Sequence, residues 1–76
     1  MKWTDNLPSE VYRRLCACRT KKSDLPMLVD AKWGWLKATG KADRFTKEDA
    51  LISILELLDC NCVDIDLTAD EYSELI

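Results

Sequence analysis

The chain contains no histidine, so the side chain that most often serves as a general base near neutral pH is missing. Its two glycines, Gly34 and Gly40, build neither a glycine-rich phosphate loop nor a nucleophile elbow. No apolar run reaches the ~18 residues that a membrane span needs. The opening residues, Met1-Lys2-Trp3-Thr4-Asp5-Asn6, lack the apolar stretch of a signal peptide, so the cytoplasm is the expected compartment. There is also no repeat, no low-complexity tract and no linker. These absences argue against catalysis, against a membrane role and against a multi-domain chain.

What is present is a 76-residue sequence, 47% apolar and 33% charged, a balance that folds rather than stays disordered. A single domain over residues 1–76 is expected, burying only ~60% of its unfolded surface. The net charge of -3 conceals an uneven distribution. Residues 1–45 hold ten basic against five acidic side chains, a balance of +5, whereas residues 46–76 hold Lys47 against nine acids, a balance of -8. Such a split speaks to partners, or to two halves that neutralise each other, and not to fold.

Helical signals dominate. Pro8 and Ser9 open a first helix, where the missing proline N–H is harmless. Val11, Leu15 and Cys18 give it an apolar stripe flanked by Tyr12 and Cys16, and Arg13, Arg14, Arg19, Lys21 and Lys22 cover the rest and suit a helix C-terminus. Ser23 or Asp24 caps a second helix with Pro26 in its first turn. Leu25, Leu28, Val29, Ala31, Trp33, Trp35 and Leu36 then spread over one wide apolar face, with Gly40 as the stop after Thr39. Gly34 costs such a helix about 1 kcal/mol relative to alanine. The competing arrangement breaks the helix near Gly34 and folds "WLKATGKADRF" as a hairpin.

On the helix, Trp33 and Trp35 stand at opposite margins of the apolar face. Lys32 falls between them, able to lay its stem on apolar surface. Either both rings belong to the core, or one forms the aromatic rim of a contact surface, since tryptophan dominates binding hot spots.

Thr46 begins a third helix, with Glu48 and Asp49 in the turn where acids suit the dipole. Its leucines and isoleucines cover more than half of the wheel, which places it at the centre of the core. Beyond Asp59 the period changes: Val63, Ile65 and Leu67 alternate with Asp64 and Asp66, the pattern of a half-buried strand. Its pairing partner would be the Lys2-Trp3-Thr4 segment or the same strand of a second copy, because buried backbone groups must be bonded. Thr68 and Glu71 form a capping box for a last helix, with Tyr72, Leu75 and Ile76 facing inward.

Cys16-Ala17-Cys18 and Cys60-Asn61-Cys62 invite a zinc reading. Mid-helix, however, Cys16 and Cys18 point about 200° apart, and common zinc frameworks separate their thiolates by two to four residues. Four reduced thiols packed as small core residues are expected instead. A disulfide is less favoured still in this compartment. "DCNCVDIDLTADE" fails as a calcium loop, because Val63 occupies a ligand position and Asp64 the position that wants glycine.

"LPSEVYRRL" resembles the start of the first helix in ribbon-helix-helix DNA-binding proteins, over these nine residues. That resemblance implies DNA binding through a basic helix. Those proteins read DNA with an alternating strand just before this point, however, and Thr4-Asp5-Asn6 offers none. The third helix is too apolar and acidic for a helix-turn-helix reader.

The expected fold is therefore mostly α, four short helices packed as one domain with one short strand near the C-terminus. The expected function is a non-enzymatic module that presents an acidic surface (Asp64, Asp66, Asp70, Glu71 and Glu74) to a protein with a basic, nucleic-acid-handling surface. Trp33 and Trp35 would supply an aromatic rim. In size, acidity and lack of catalytic groups the chain is similar to phage-encoded inhibitors, including anti-CRISPR proteins, although no individual residue carries that identity. The alternatives are a DNA-binding regulator using Arg13, Arg14, Arg19, Lys21 and Lys22, or a structural subunit of a larger assembly. No catalytic, metal or cofactor site is expected, and the chain would act as a monomer or homodimer.

Overall fold

The computed structural model describes residues 2–76 as four α-helices: α1 (Ser9–Cys16), α2 (Leu25–Ala38), α3 (Lys47–Cys60) and α4 (Ala69–Leu75). Short 3-10 turns at Trp3–Asn6, Lys22–Asp24 and Lys41–Asp43 precede or link them. α2 is the hub, packing against the Trp3–Asn6 turn, α3, the Lys41–Asp43 turn and α4. The six largest fully buried side chains come equally from α2, with Leu25, Leu28 and Val29, and α3, with Leu51, Ile54 and Leu58. Val11 and Leu15 of α1 and Leu75 of α4 close the same cluster. The core is thus shared by two helices rather than centred on the third. The breadth of apolar positions on α3 is not all buried: Ile52 and Leu57 face outward.

Local chemistry explains the helix ends. Thr46 Oγ1 accepts from the Asp49 N–H at 3.2 Å while Asp49 Oδ2 accepts from the Thr46 N–H at 2.8 Å, a reciprocal cap. Thr68 and Glu71 repeat it at α4, at 3.2 and 3.1 Å. Gly40 stops α2 with φ of +76°, the left-handed conformation a helix end commonly requires. α2 runs unbroken through Gly34, so the hairpin alternative for residues 35–45 does not form.

A methyl group added at Gly34 would meet nothing within 4 Å. Gly34→Ala should therefore stabilise the protein by about 0.5–1 kcal/mol, read as a higher midpoint in urea unfolding. A loss of stability would show that the backbone here is not helical.

Several sequence expectations are corrected. Among the described residues there is no strand. Residues 63–67 do alternate, with Val63, Ile65 and Leu67 half-buried and Asp64 and Asp66 exposed, but a strand also needs a ladder. The expected partner, Lys2-Trp3-Thr4, is drawn into the Trp3–Asn6 turn. α1 ends at Cys16, well before Lys21 and Lys22. Asp24 does not cap α2 with its side chain. Ile76 is exposed, although Tyr72 is half-buried and Leu75 buried as expected.

Candidate functional site

Two charged surfaces were candidates, and the structure treats them differently. In the acidic set, Asp64 and Asp66 project from the extended segment between α3 and α4, and Asp70 and Glu74 from α4; all four are exposed. Among the described residues none of these four has an ion-pair partner. Glu71 differs. Its Oε1 accepts from Lys22 Nζ at 2.8 Å and also from the Thr68 N–H. The Lys22 ammonium, followed by that backbone donor, holds the Glu71 carboxyl below its ordinary range. Glu71 is therefore committed within the chain, and four carboxylates remain.

The backbone of the same segment makes few bonds within the chain. Val63 N–H closes the end of α3 on the Leu58 carbonyl at 2.9 Å, and Thr68 N–H joins the α4 cap. Between them, the backbone groups of Asp64, Ile65, Asp66 and Leu67 bond to no other described residue. Two of these four residues, Asp64 and Asp66, also carry exposed carboxylates.

The basic set is less available than its sequence suggests. Arg14 forks onto Asp24, with Nε to Oδ2 at 2.7 Å and Nη2 to Oδ1 at 2.6 Å. Asp24 is 3% exposed and also accepts from the Lys21 N–H at 3.1 Å. The Arg14 guanidinium, foremost, holds the Asp24 carboxyl below its ordinary range against the opposing effect of burial. Lys22 is joined to Glu71. Arg13, Arg19 and Lys21 remain exposed without an ion-pair partner among the described residues. The turn before α1 is 3-10, so the strand of ribbon-helix-helix proteins has no counterpart here.

Few ion pairs join the two halves among the described residues. Of the three ion pairs among the described residues, Arg14–Asp24 lies within the first half. Lys47–Asp30, at 3.7 Å, joins the lone cation of the second half to an acid of the first. Among the described residues, only Lys22–Glu71 joins a base of the first half to an acid of the second.

Trp33 and Trp35 are both half-buried, and neither belongs to the buried cluster. They face separate lysines, as their wheel positions require. Lys37 Nζ lies 5.7 Å from the Trp33 ring, whereas Trp35 has Lys32 at 5.2 Å and Lys41 at 5.1 Å. Lys32 also lies 5.3 Å from the Trp3 ring, so its ammonium sits between two indoles. Burial, and then the like charge of Lys41, lower the Lys32 pKa below its ordinary value. In the sequence Trp3 stands in one of the two possible pairing partners of residues 63–67, and nothing beyond its being aromatic signals the contact with Lys32.

The cysteines overturn the core expectation: Cys16, Cys18, Cys60 and Cys62 are all exposed. Each Cys-X-Cys is a helix terminus. Cys18 has φ of 57° and Cys62 of 60°, both left-handed. At α1, Cys18 N–H donates to the Leu15 carbonyl and Arg19 N–H to the Arg14 carbonyl; at α3, Cys62 N–H donates to Asp59 and Val63 N–H to Leu58. That double bond pattern is the Schellman motif, in which glycine ordinarily holds the left-handed position. Among the described residues no group of three or more Cys, Asp or Glu is placed to hold a metal ion.

A side chain at left-handed φ is strained. Cys18→Gly and Cys62→Gly should each stabilise the fold by about 0.5–1 kcal/mol, whereas Cys→Ala at either position should not. Thermal unfolding of the two pairs of variants checks this. Equal melting temperatures for Gly and Ala would contradict the left-handed assignment.

Among the described residues no helix is long and apolar enough to cross a membrane. In comparisons with known proteins, no family model, no curated protein and no solved structure matches this chain.

Proposed function

We propose that this chain is a non-enzymatic protein-binding module that presents the acidic edge of residues 64–74 to a protein with a basic, nucleic-acid-handling surface. The observation that carries this reading is the set of exposed carboxylates at Asp64, Asp66, Asp70 and Glu74, none with a cation of its own among the described residues. Like charges held together repel one another, a cost that a bound cationic surface relieves. Four exposed carboxylates on the segment before α4 and on α4 itself can stand in for nucleic-acid phosphates in a basic channel, the behaviour of an inhibitor.

The unbonded backbone of residues 64–67 adds a second means of attachment. An extended segment with free N–H and C=O groups can accept a strand from a partner. DNA binding through α1 is the weaker reading, because Arg14 and Lys22 are tied to carboxylates within the chain.

Affinity capture from native host lysate, with mass spectrometry of the retained proteins, tests the proposal when run at low and high salt. A specific basic protein should be retained at low salt and lost as salt rises, since steering between exposed charges is screened. Retention that is indifferent to salt, or tight binding of duplex DNA by the purified chain, would overturn it.

A further inference from the structure

A groove of ≈ 430 Å³ lies between α2 and α3, away from the acidic edge. Trp35 and Leu36 line it from α2, Lys41 from the following turn, and Phe45 and Ile52 from the loop and α3. Phe45 is 44% exposed and Ile52 39%, so two large apolar side chains on this groove face solvent. Scattered apolar residues are ordinary on a protein surface, but two lining the same groove are a contact surface in outline.

The groove walls differ in charge. Lys32 and Lys41 stand on the α2 side, both within reach of the Trp35 ring, and neither has a carboxylate partner among the described residues. On the α3 side, Asp49 is engaged by the Thr46 cap, which leaves Glu56 as the uncommitted charge. Two neighbouring cations on one wall call for an anion, and Glu56 on the other turns one away. Any occupant is thus oriented, with its acidic edge toward α2.

The α3 wall from Asp49 to Glu56 spans about two helical turns, or ~10 Å. A third helix laid between two packed helices buries apolar residues at i, i+3, i+4 and i+7 over that distance. We infer that this groove docks an amphipathic helix of a partner protein, with apolar side chains on Phe45 and Ile52 and glutamates or aspartates against Lys32 and Lys41. The α2 wall of this site, with Lys32 and Lys41, is opposite in sign to the acidic edge, and none of the residues lining the groove belongs to that edge.

The test uses two fluorescein-labelled amphipathic peptides of about 15 residues, long enough to form helix. Both carry Leu and Phe on the apolar stripe; one bears Glu along one edge of that stripe, the other Lys. Anisotropy titrations of the full chain should show saturable binding of the Glu peptide and at least about tenfold weaker binding of the Lys peptide. Lys41→Glu should erase or invert that preference, and Ile52→Glu should abolish binding of both peptides. Each position is exposed, and circular dichroism melts confirm that the variants fold. Asp64→Lys with Asp66→Lys should leave the titration with the Glu peptide unchanged, which separates this site from the acidic edge. Failure of the Glu peptide to bind, binding indifferent to Lys41 and Ile52, or its displacement by single-stranded oligothymidylate would overturn the inference.

Discussion

Replacing Asp24 with alanine should destabilise the protein by about 3 kcal/mol, the scale expected when one partner of a buried, hydrogen-bonded charge pair is removed. Asp24 joins three parts of the chain. It receives both arms of the Arg14 guanidinium from α1, closes the Lys22–Asp24 turn through the Lys21 N–H, and begins α2, the hub of the fold. Without it the guanidinium, itself partly covered, has lost its acceptor. The pH dependence has a definite sign. The folded-state pKa of Asp24 is lowered, so its contribution is fully present above its unfolded pKa of about 3.9 and disappears as pH falls through the lower folded value. Chemical denaturation at pH 7 and in the acid range should show wild-type stability falling toward that of Asp24→Asn. Parallel pH profiles for the two proteins would mean that the ion pair is not formed in solution.

Reversing Asp64 and Asp66 to lysine should weaken binding to the basic partner by about 100-fold, because each attraction becomes a repulsion at the same place. Both side chains are exposed and unpaired among the described residues, so the fold should survive the change. Glu71→Gln is the matched control. It removes a carboxylate already joined to Lys22 and to the α4 cap, so it should affect helix stability more than affinity. Isothermal titration of the captured partner against the three proteins separates the two effects. Equal affinity for wild type and the double reversal would remove the acidic edge from the interface.

The features that could be read from the sequence are those determined by a few neighbouring residues. Thr46 with Asp49, Thr68 with Glu71, and Gly40 after α2 each settle a helix end through backbone chemistry within one turn. The alternation at residues 63–67 was also legible, and burial follows it, but whether an extended segment becomes a strand depends on a partner from elsewhere in the chain. The Trp3–Asn6 turn removed the intended one. The cysteines misled for a different reason. Helical periodicity places Cys16 and Cys18 mid-helix, whereas the Schellman bonds end α1 at Cys16, two residues before the left-handed Cys18, with no glycine to announce it.

The candidate sites divide along the same line. Asp64 and Asp66 were visible as acids because they are close in sequence and lie on an extended segment. Arg14 and Lys22 looked available because their partners, Asp24 and Glu71, are supplied by other elements. The groove was illegible for the strongest version of that reason: Lys32, Lys41, Phe45, Ile52 and Glu56 come from two helices and the loop between them. Ile52 carried a hint, since the apolar arc of α3 is wider than one packed face can bury.

Amide hydrogen exchange reads directly which surface of this chain a partner covers. In the free protein the amides of Asp64, Ile65, Asp66 and Leu67 bond to no other described residue, so they should exchange near the unprotected rate. On addition of the captured basic partner, protection should rise across residues 64–67 and the start of α4, while α1 around Arg13 and Arg19 keeps its free-state pattern. Protection that instead falls on α1, with residues 64–67 still exchanging freely, would contradict the acidic-edge account and restore the basic helix as the binding surface.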